Sequence, residues 1–106
     1  MMDDLDIGYR IAKIDGVQCQ IEQADTTHAY LYSEDLNSEY HPLTDDGLCL
    51  RLMEKYGVTF NIYHDLDGIK YYHGDLWRDG KIITITDSKD LKRFVCLYVI
   101  ELNKGK

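Results

Sequence analysis

His73 and Asp75 lie two positions apart in the stretch IKYYHGDLW. In a strand, that spacing puts both side chains on one face, together with Trp77. A histidine beside a carboxylate can move protons, alone or as part of a metal-dependent hydrolase or nuclease site. An exposed strand position, or a bulge at Gly74, accounts for Asp75 more simply and is favoured. The remaining chemistry-bearing residues give less. Of the other histidines, His28, His41 and His64, none stands at i, i+4 from another on an expected helix. His64 is expected to share a face with His73, but near the opposite end of its strand. Cys19, Cys49 and Cys96 show no C-x-x-C spacing and none has a histidine at a motif spacing. The tract DLDG is shorter than a calcium loop and lacks its distal glutamate. No metal, no cofactor and no catalytic residue is expected, and the chain reads as a non-enzyme.

The elements that position these residues centre on residues 58–86. VTFNIYH (58–64), IKYYHGDLW (69–77) and KIITIT (81–86) read as three antiparallel strands of a meander. Asp67-Gly68 and Asp79-Gly80 supply the glycines that tight hairpin turns require. A two- or four-residue first loop would group Val58, Phe60, Ile62 and His64 with Ile69, Tyr71 and His73, and then with Trp77 and Ile82. Leu76, Ile83 and Ile85 would take the other face with Tyr63 and Tyr72. Apolar groups on both faces predict cover on both sides.

Three helices are expected around this meander. DDLDIGYRIAKI (3–14) has aspartates at its start, Arg10 and Lys13 at its end, and Gly16 to cap it, which favours a helix over a strand. VQCQI then follows as a short extended piece or edge strand. Thr44 or Asp45 caps a helix over 45–56, whose Cys49, Leu52, Met53 and Tyr56 form one apolar stripe. Asp87 or Ser88 caps a last helix over 88–103, with Leu91, Phe94, Val95, Tyr98, Val99 and Leu102 at helical spacing; a strand through FVCLYVI is the competitor. Residues 24–43 show little periodicity and read as a long surface loop. The sum is one α+β domain over 1–106, an antiparallel sheet packed with helices in an αβα-sandwich-like arrangement.

Charge narrows the function classes. The net charge is −7, and residues 1–46 hold eleven acids against only Arg10 and Lys13. Binding a phosphate backbone needs clustered lysine and arginine, so direct nucleic-acid binding is not expected. No stretch approaches the roughly 20 apolar residues of a membrane helix, and MMDDLD has neither the basic region nor the apolar run of a signal peptide. An odd number of cysteines fits a reducing cytosol better than a disulfide framework. Nine tyrosines are available, and tyrosine provides large contact area at low entropic cost. The acidic half interleaves them with carboxylates, which makes Tyr30, Tyr32, Glu34, Asp35, Glu39, Tyr40, Asp45 and Asp46 the candidate residues for docking on a basic partner. The same acids read as plain solubilising groups in the blander view. An exposed edge strand or the tyrosine-rich segment would allow a homodimer.

The order of elements carries one resemblance. LDIGYRIAKIDG, the irregular YSEDLNSEYHPLTDD, the helix GLCLRLMEKYG, an aromatic hairpin with Trp77 and the closing LKRFVCLYVIEL are similar to small tailed-phage and prophage proteins of the ABA-sandwich and NinX-like type. That resemblance implies helices on an antiparallel sheet and an accessory product made in the cytoplasm of a bacterial host, with no catalytic residues to carry over. It makes an inhibitor of a host macromolecule the first expectation, of the anti-CRISPR or anti-restriction kind, acting through its acidic surface on a basic, nucleic-acid-processing protein. An immunity or antitoxin-like binding protein and a small metal-dependent hydrolase or nuclease using Asp75 and His73 are the alternatives.

Overall fold

The computed structural model describes residues 3–87 and 90–104. Its elements run α1 (Asp4–Asp15), β1 (Gln20–Gln23), β2 (Ala29–Ser33), β3 (Ser38–Glu39), α2 (Asp46–Tyr56), β4 (Asn61–His64), β5 (Lys70–Arg78), β6 (Lys81–Asp87) and α3 (Leu91–Asn103). The class is α+β, with three helices and two three-stranded antiparallel sheets, β1-β2-β3 and β4-β5-β6.

Local chemistry sets the helix ends. The Asp3 carboxylate accepts the Asp6 N–H, and Gly16 closes α1 in the left-handed region at φ 74°. Asp45, one of the two expected caps, accepts the Leu48 N–H, and Gly57 ends α2. The third cap is neither expected residue. Asp90 accepts the Lys92 N–H at the start of α3, Asp87 belongs to β6, and Ser88 lies outside the described residues. FVCLYVI is helical, and Phe94, Val95, Cys96, Tyr98, Val99 and Ile100 are all buried. An apolar run of that width suits a helix covered on several sides.

α3 is the hub of the core. It packs on β5 and β6 and against both α1 and α2, while α1 in turn packs on β2. Helices therefore lie between the two sheets. Helix α2, expected on the meander, rests on α3 instead. The ring of Phe94 meets those of Phe60, Tyr72 and Tyr98 at centroid separations of 5.7, 6.2 and 6.0 Å. Gly74 lies directly under this cluster, without a bulge, and Gly8 lets Leu31 and Pro42 approach α1.

Two expectations are corrected here. Residues 24–43 are no simple loop, since they hold β2 and β3 and, with β1, make the first sheet. Its turns are closed by side chains: the Asp25 carboxylate accepts the N–H groups of Thr27 and His28, and Asn37 adopts φ 50°. The second correction concerns the parity of the first hairpin in the meander. Asp65 Oδ1 accepts the N–H groups of Asp67 and Ile69, and the Asp65 N–H donates to the Ile69 carbonyl, which leaves a three-residue loop. An odd loop flips β4 relative to an even one. Ile62 pairs with Tyr72, and Tyr63 pairs with Tyr71. Phe60 thus joins the core face with Tyr72, and Tyr63 goes to the other face with Tyr71 and His73. His64 and His73 fall on opposite faces. The second hairpin has its expected two-residue turn, Asp79 and Gly80, and the expected grouping of β5 with β6 holds.

Candidate functional sites

The first sheet concentrates acid. No lysine or arginine occurs between Lys13 and Arg51, and residues 20–39 carry Glu22, Asp25, Glu34, Asp35 and Glu39. Strand parity and register put Tyr30 opposite Glu22 and Tyr32 opposite Glu39, so both tyrosines share one face with two glutamates. Leu31 and Ser33 take the other face, where both are buried. Tyr30 and Tyr32 are half-buried, and the Tyr32 hydroxyl donates to Asn37 Oδ1 at 2.7 Å.

Beside this sheet runs a cleft of about 390 Å³, between α1 and β1–β2, lined by Tyr9, Lys13, Cys19, Gln20, Tyr32, Glu34 and Asp35 among others. Glu34 and Asp35 are exposed and form no ion pair among the described residues. Lys13 sits 5.1 Å from the centre of the Tyr9 ring, the one cation at this opening. Burial, and secondarily Asp35, push the Cys19 thiol upward, so it is a poor nucleophile. An opening with two unpaired carboxylates beside an aromatic ring suits a guanidinium or ammonium group.

Other candidates from the acidic half serve the fold. Tyr40 is buried, only 2% exposed, and its hydroxyl donates to Asp15. Burial, with Asp15 adding, raises its phenol well above the usual range. It cannot act as a surface anchor. Asp45 is the α2 cap, and Asp46 holds Lys92 at 2.7 Å, a hydrogen bond that raises the lysine's pKa. His41 contacts the Glu39 carboxylate. Asp4 likewise faces Arg93 at 3.4 Å.

The group with no signal in the sequence is Asp15. Its side chain is 3% exposed, and it receives Arg51 at 2.7 Å and Lys55 at 2.6 Å. The hydroxyls of Tyr40 and Tyr56 point at it as well. A carboxylate at a helix C-terminus opposes the macrodipole, and two cations one turn apart on α2 offset that. Thus several acids of the first half meet bases of the second half across the fold. Among the described residues, the acids of the first sheet receive no lysine or arginine.

On the second sheet, His73 Nε2 lies 3.4 Å from Asp75 Oδ1, on one face as the spacing predicts. Asp75 also accepts the Thr84 hydroxyl at 2.8 Å. Tyr63 stacks on Tyr71 and meets His73 edge-on at 5.4 Å. Trp77 on that face is 71% exposed and Ile82 57% exposed, so the expected cover on both sides is present on one only. Among the described residues, no group of three or more His, Cys, Asp or Glu side chains converges as a metal site. No helix among them is long and apolar enough to cross a membrane. No family model matches the chain, and no curated protein or solved structure matches it.

Proposed function

We propose that this chain is a non-catalytic binding protein whose first sheet docks on a basic surface of another protein. In line with the phage-type resemblance, it acts as an accessory inhibitor inside a bacterial host, occupying the channel of a nucleic-acid-processing enzyme of the anti-CRISPR or anti-restriction target kind. The observation that carries this reading is the base-free span between Lys13 and Arg51, folded so that Glu22 and Glu39 share a face with the half-buried Tyr30 and Tyr32 while Glu34 and Asp35 line the cleft beside Tyr32. A basic channel built for phosphates attracts such a surface at long range and holds it by pairing. Glu34 and Asp35 steer, and Tyr32 and Tyr30 supply the desolvated contact.

An immunity-type role would use the same surface on a toxin, and recovery of the partner from a bacterial lysate separates the two. The decisive measurement is kinetic. Glu34→Lys with Asp35→Lys slows association with that partner and flattens its salt dependence, while stability changes by under about 1 kcal/mol because these charges are exposed. Equal rate and salt slope in wild type and variant would remove the acidic-surface reading. A hydrolase working through His73 and Asp75 is tested separately. Their alanine variants, if folded, retain biological activity under the present reading and lose it under the other.

A further inference from the structure

Among the described residues, no strand pairs with the outer edge of β6. β6 ends the order β4-β5-β6, and its hairpin partner Arg78 faces Lys81 across the two-residue turn. Such a turn is closed by a hydrogen-bonded pair, and bonded pairs alternate along an antiparallel ladder. Lys81, Ile83, Ile85 and Asp87 therefore direct their backbone groups to β5. Ile82, Thr84 and Thr86 direct theirs outward, and among the described residues no backbone hydrogen bond reaches these three from beyond the sheet. Edges of this kind are normally blunted by charge, proline or a bulge. Here the register runs unbroken over seven residues, and residues 82–86, IITIT, contain none of these devices.

We propose that β6 pairs antiparallel with β6 of a second copy of this chain, extending the second sheet to six strands across a twofold axis at Thr84. The strand reads Lys-Ile-Ile-Thr-Ile-Thr-Asp, and reversing it against itself is complementary throughout. Thr84 meets Thr84, Ile83 meets Ile85, Ile82 meets Thr86, and Lys81 meets Asp87 at both ends. This register places outward-facing residues only opposite outward-facing ones, so the three free N–H and three free C=O groups of each copy are all paired. It also keeps the core faces of the two copies on one side, because paired residues share parity. Lys81 of one copy joins Arg93 of the other at Asp87, where the Arg93 guanidinium stands 4.0 Å away. A groove of about 310 Å³ lined by Ile83, Ile85, Leu97 and Ile100 follows the same edge on the helix side, and the two grooves meet across the axis. The charge order is what selects a second copy over an unrelated strand: a foreign segment would have to reproduce acid and base at both ends.

The interface lies on the second sheet and is independent of the first-sheet reading. Molar mass by light scattering and sedimentation, from low to high micromolar concentration, tests it on the intact chain. Wild type is expected to shift from monomer to dimer. Thr84→Pro removes one outward N–H and leaves the ladder to β5 in place, so it should stay monomeric while retaining its circular dichroism spectrum. Lys81→Asp puts like charges opposite each other twice per dimer and should weaken association on the order of tenfold or more. Asp87→Lys does the same with the opposite sign, and a mixture of these two variants should recover the association that each loses alone. If Asp87→Lys fails to fold, the Thr84 and Lys81 variants still decide the question. Wild type that stays monomeric throughout, or a dimer that both Thr84→Pro and Lys81→Asp leave intact, overturns the proposal.

Discussion

Gly74→Ala probes the joint on which the core depends. A Cβ added there would stand 2.9 Å from Phe94 Cζ, 2.9 Å from the Thr59 carbonyl oxygen and 3.1 Å from Tyr98 Cε2. The ring tips can tilt, but the carbonyl belongs to the backbone leading into β4 and cannot move without shifting that strand. Overpacking of this kind costs about 1–3 kcal/mol. Alanine returns about 0.5–1 kcal/mol over glycine in a strand by losing less backbone freedom, so the net destabilisation centres on about 1 kcal/mol, with about 2.5 kcal/mol as its upper end. In a domain of this size the central value lowers the melting temperature by about 4–8 °C. Thermal and urea unfolding followed by circular dichroism read it directly. In a Phe94→Leu background the added methyl should cost less, because one of the three close atoms is gone, yet still cost something, because Thr59 remains. A Gly74→Ala protein that melts at or above the wild-type temperature would mean that α3 does not pack on β5 at this point.

Phe94→Ala, which empties a fully buried site between three aromatic rings, should cost about 3–5 kcal/mol in urea denaturation. Gly47→Ala should be neutral to stabilising, by up to about 1 kcal/mol, since its Cβ would meet only Asp45 Oδ1 at 3.5 Å and alanine is the better helix former. Native thiol labelling should reach Cys19 first and leave Cys49 and Cys96 untouched until unfolding; burial raises both buried thiols, Cys96 to about 12. Lys104 and Arg78 hold the Glu101 carboxyl below its ordinary 4.5. A depressed carboxylate stabilises the fold fully above that value and loses its contribution as pH falls through the lowered one. Glu101→Gln should therefore flatten the loss of stability on acidification below pH 4.5 while lowering stability at neutral pH.

The helices were legible in the sequence because their ends carry local chemistry: an aspartate before each, a glycine after α1 and α2, and apolar residues every third or fourth position between. The cap of α3 was misplaced by a few residues because three side chains able to cap, Asp87, Ser88 and Asp90, crowd that boundary, and it is Asp90 that accepts the Lys92 N–H. The meander was legible too, since Asp-Gly marks both turns. Its first loop length was not, because the Asp65 side chain rather than the backbone dipeptide fixes where pairing resumes. The first sheet escaped notice for another reason. Its strands are two to five residues long, and the inward positions of β2 include a serine, so no apolar alternation announces them. Charge asymmetry pointed to the acidic half as a whole, yet only part of it faces outward. Which acids are neutralised depends on partners such as Arg51, Lys55, Lys92 and Arg93, and those distances exist only in the folded chain.

The Asp15 clamp closes a long excursion of the chain. The backbone leaves the body after α1, makes the first sheet, and returns where Arg51 and Lys55 grip the residue from which it left. The excursion is therefore a cassette fastened at its root, and buried side chains such as Leu31, Ser33 and Tyr40 tie it to the body. The base-free span coincides with this cassette almost residue for residue. Loops whose ends are already held together tolerate changes in length at small entropic cost. The surface of the first sheet can thus diverge, lengthen or be exchanged for another while α3 and the meander beneath it keep the same packing.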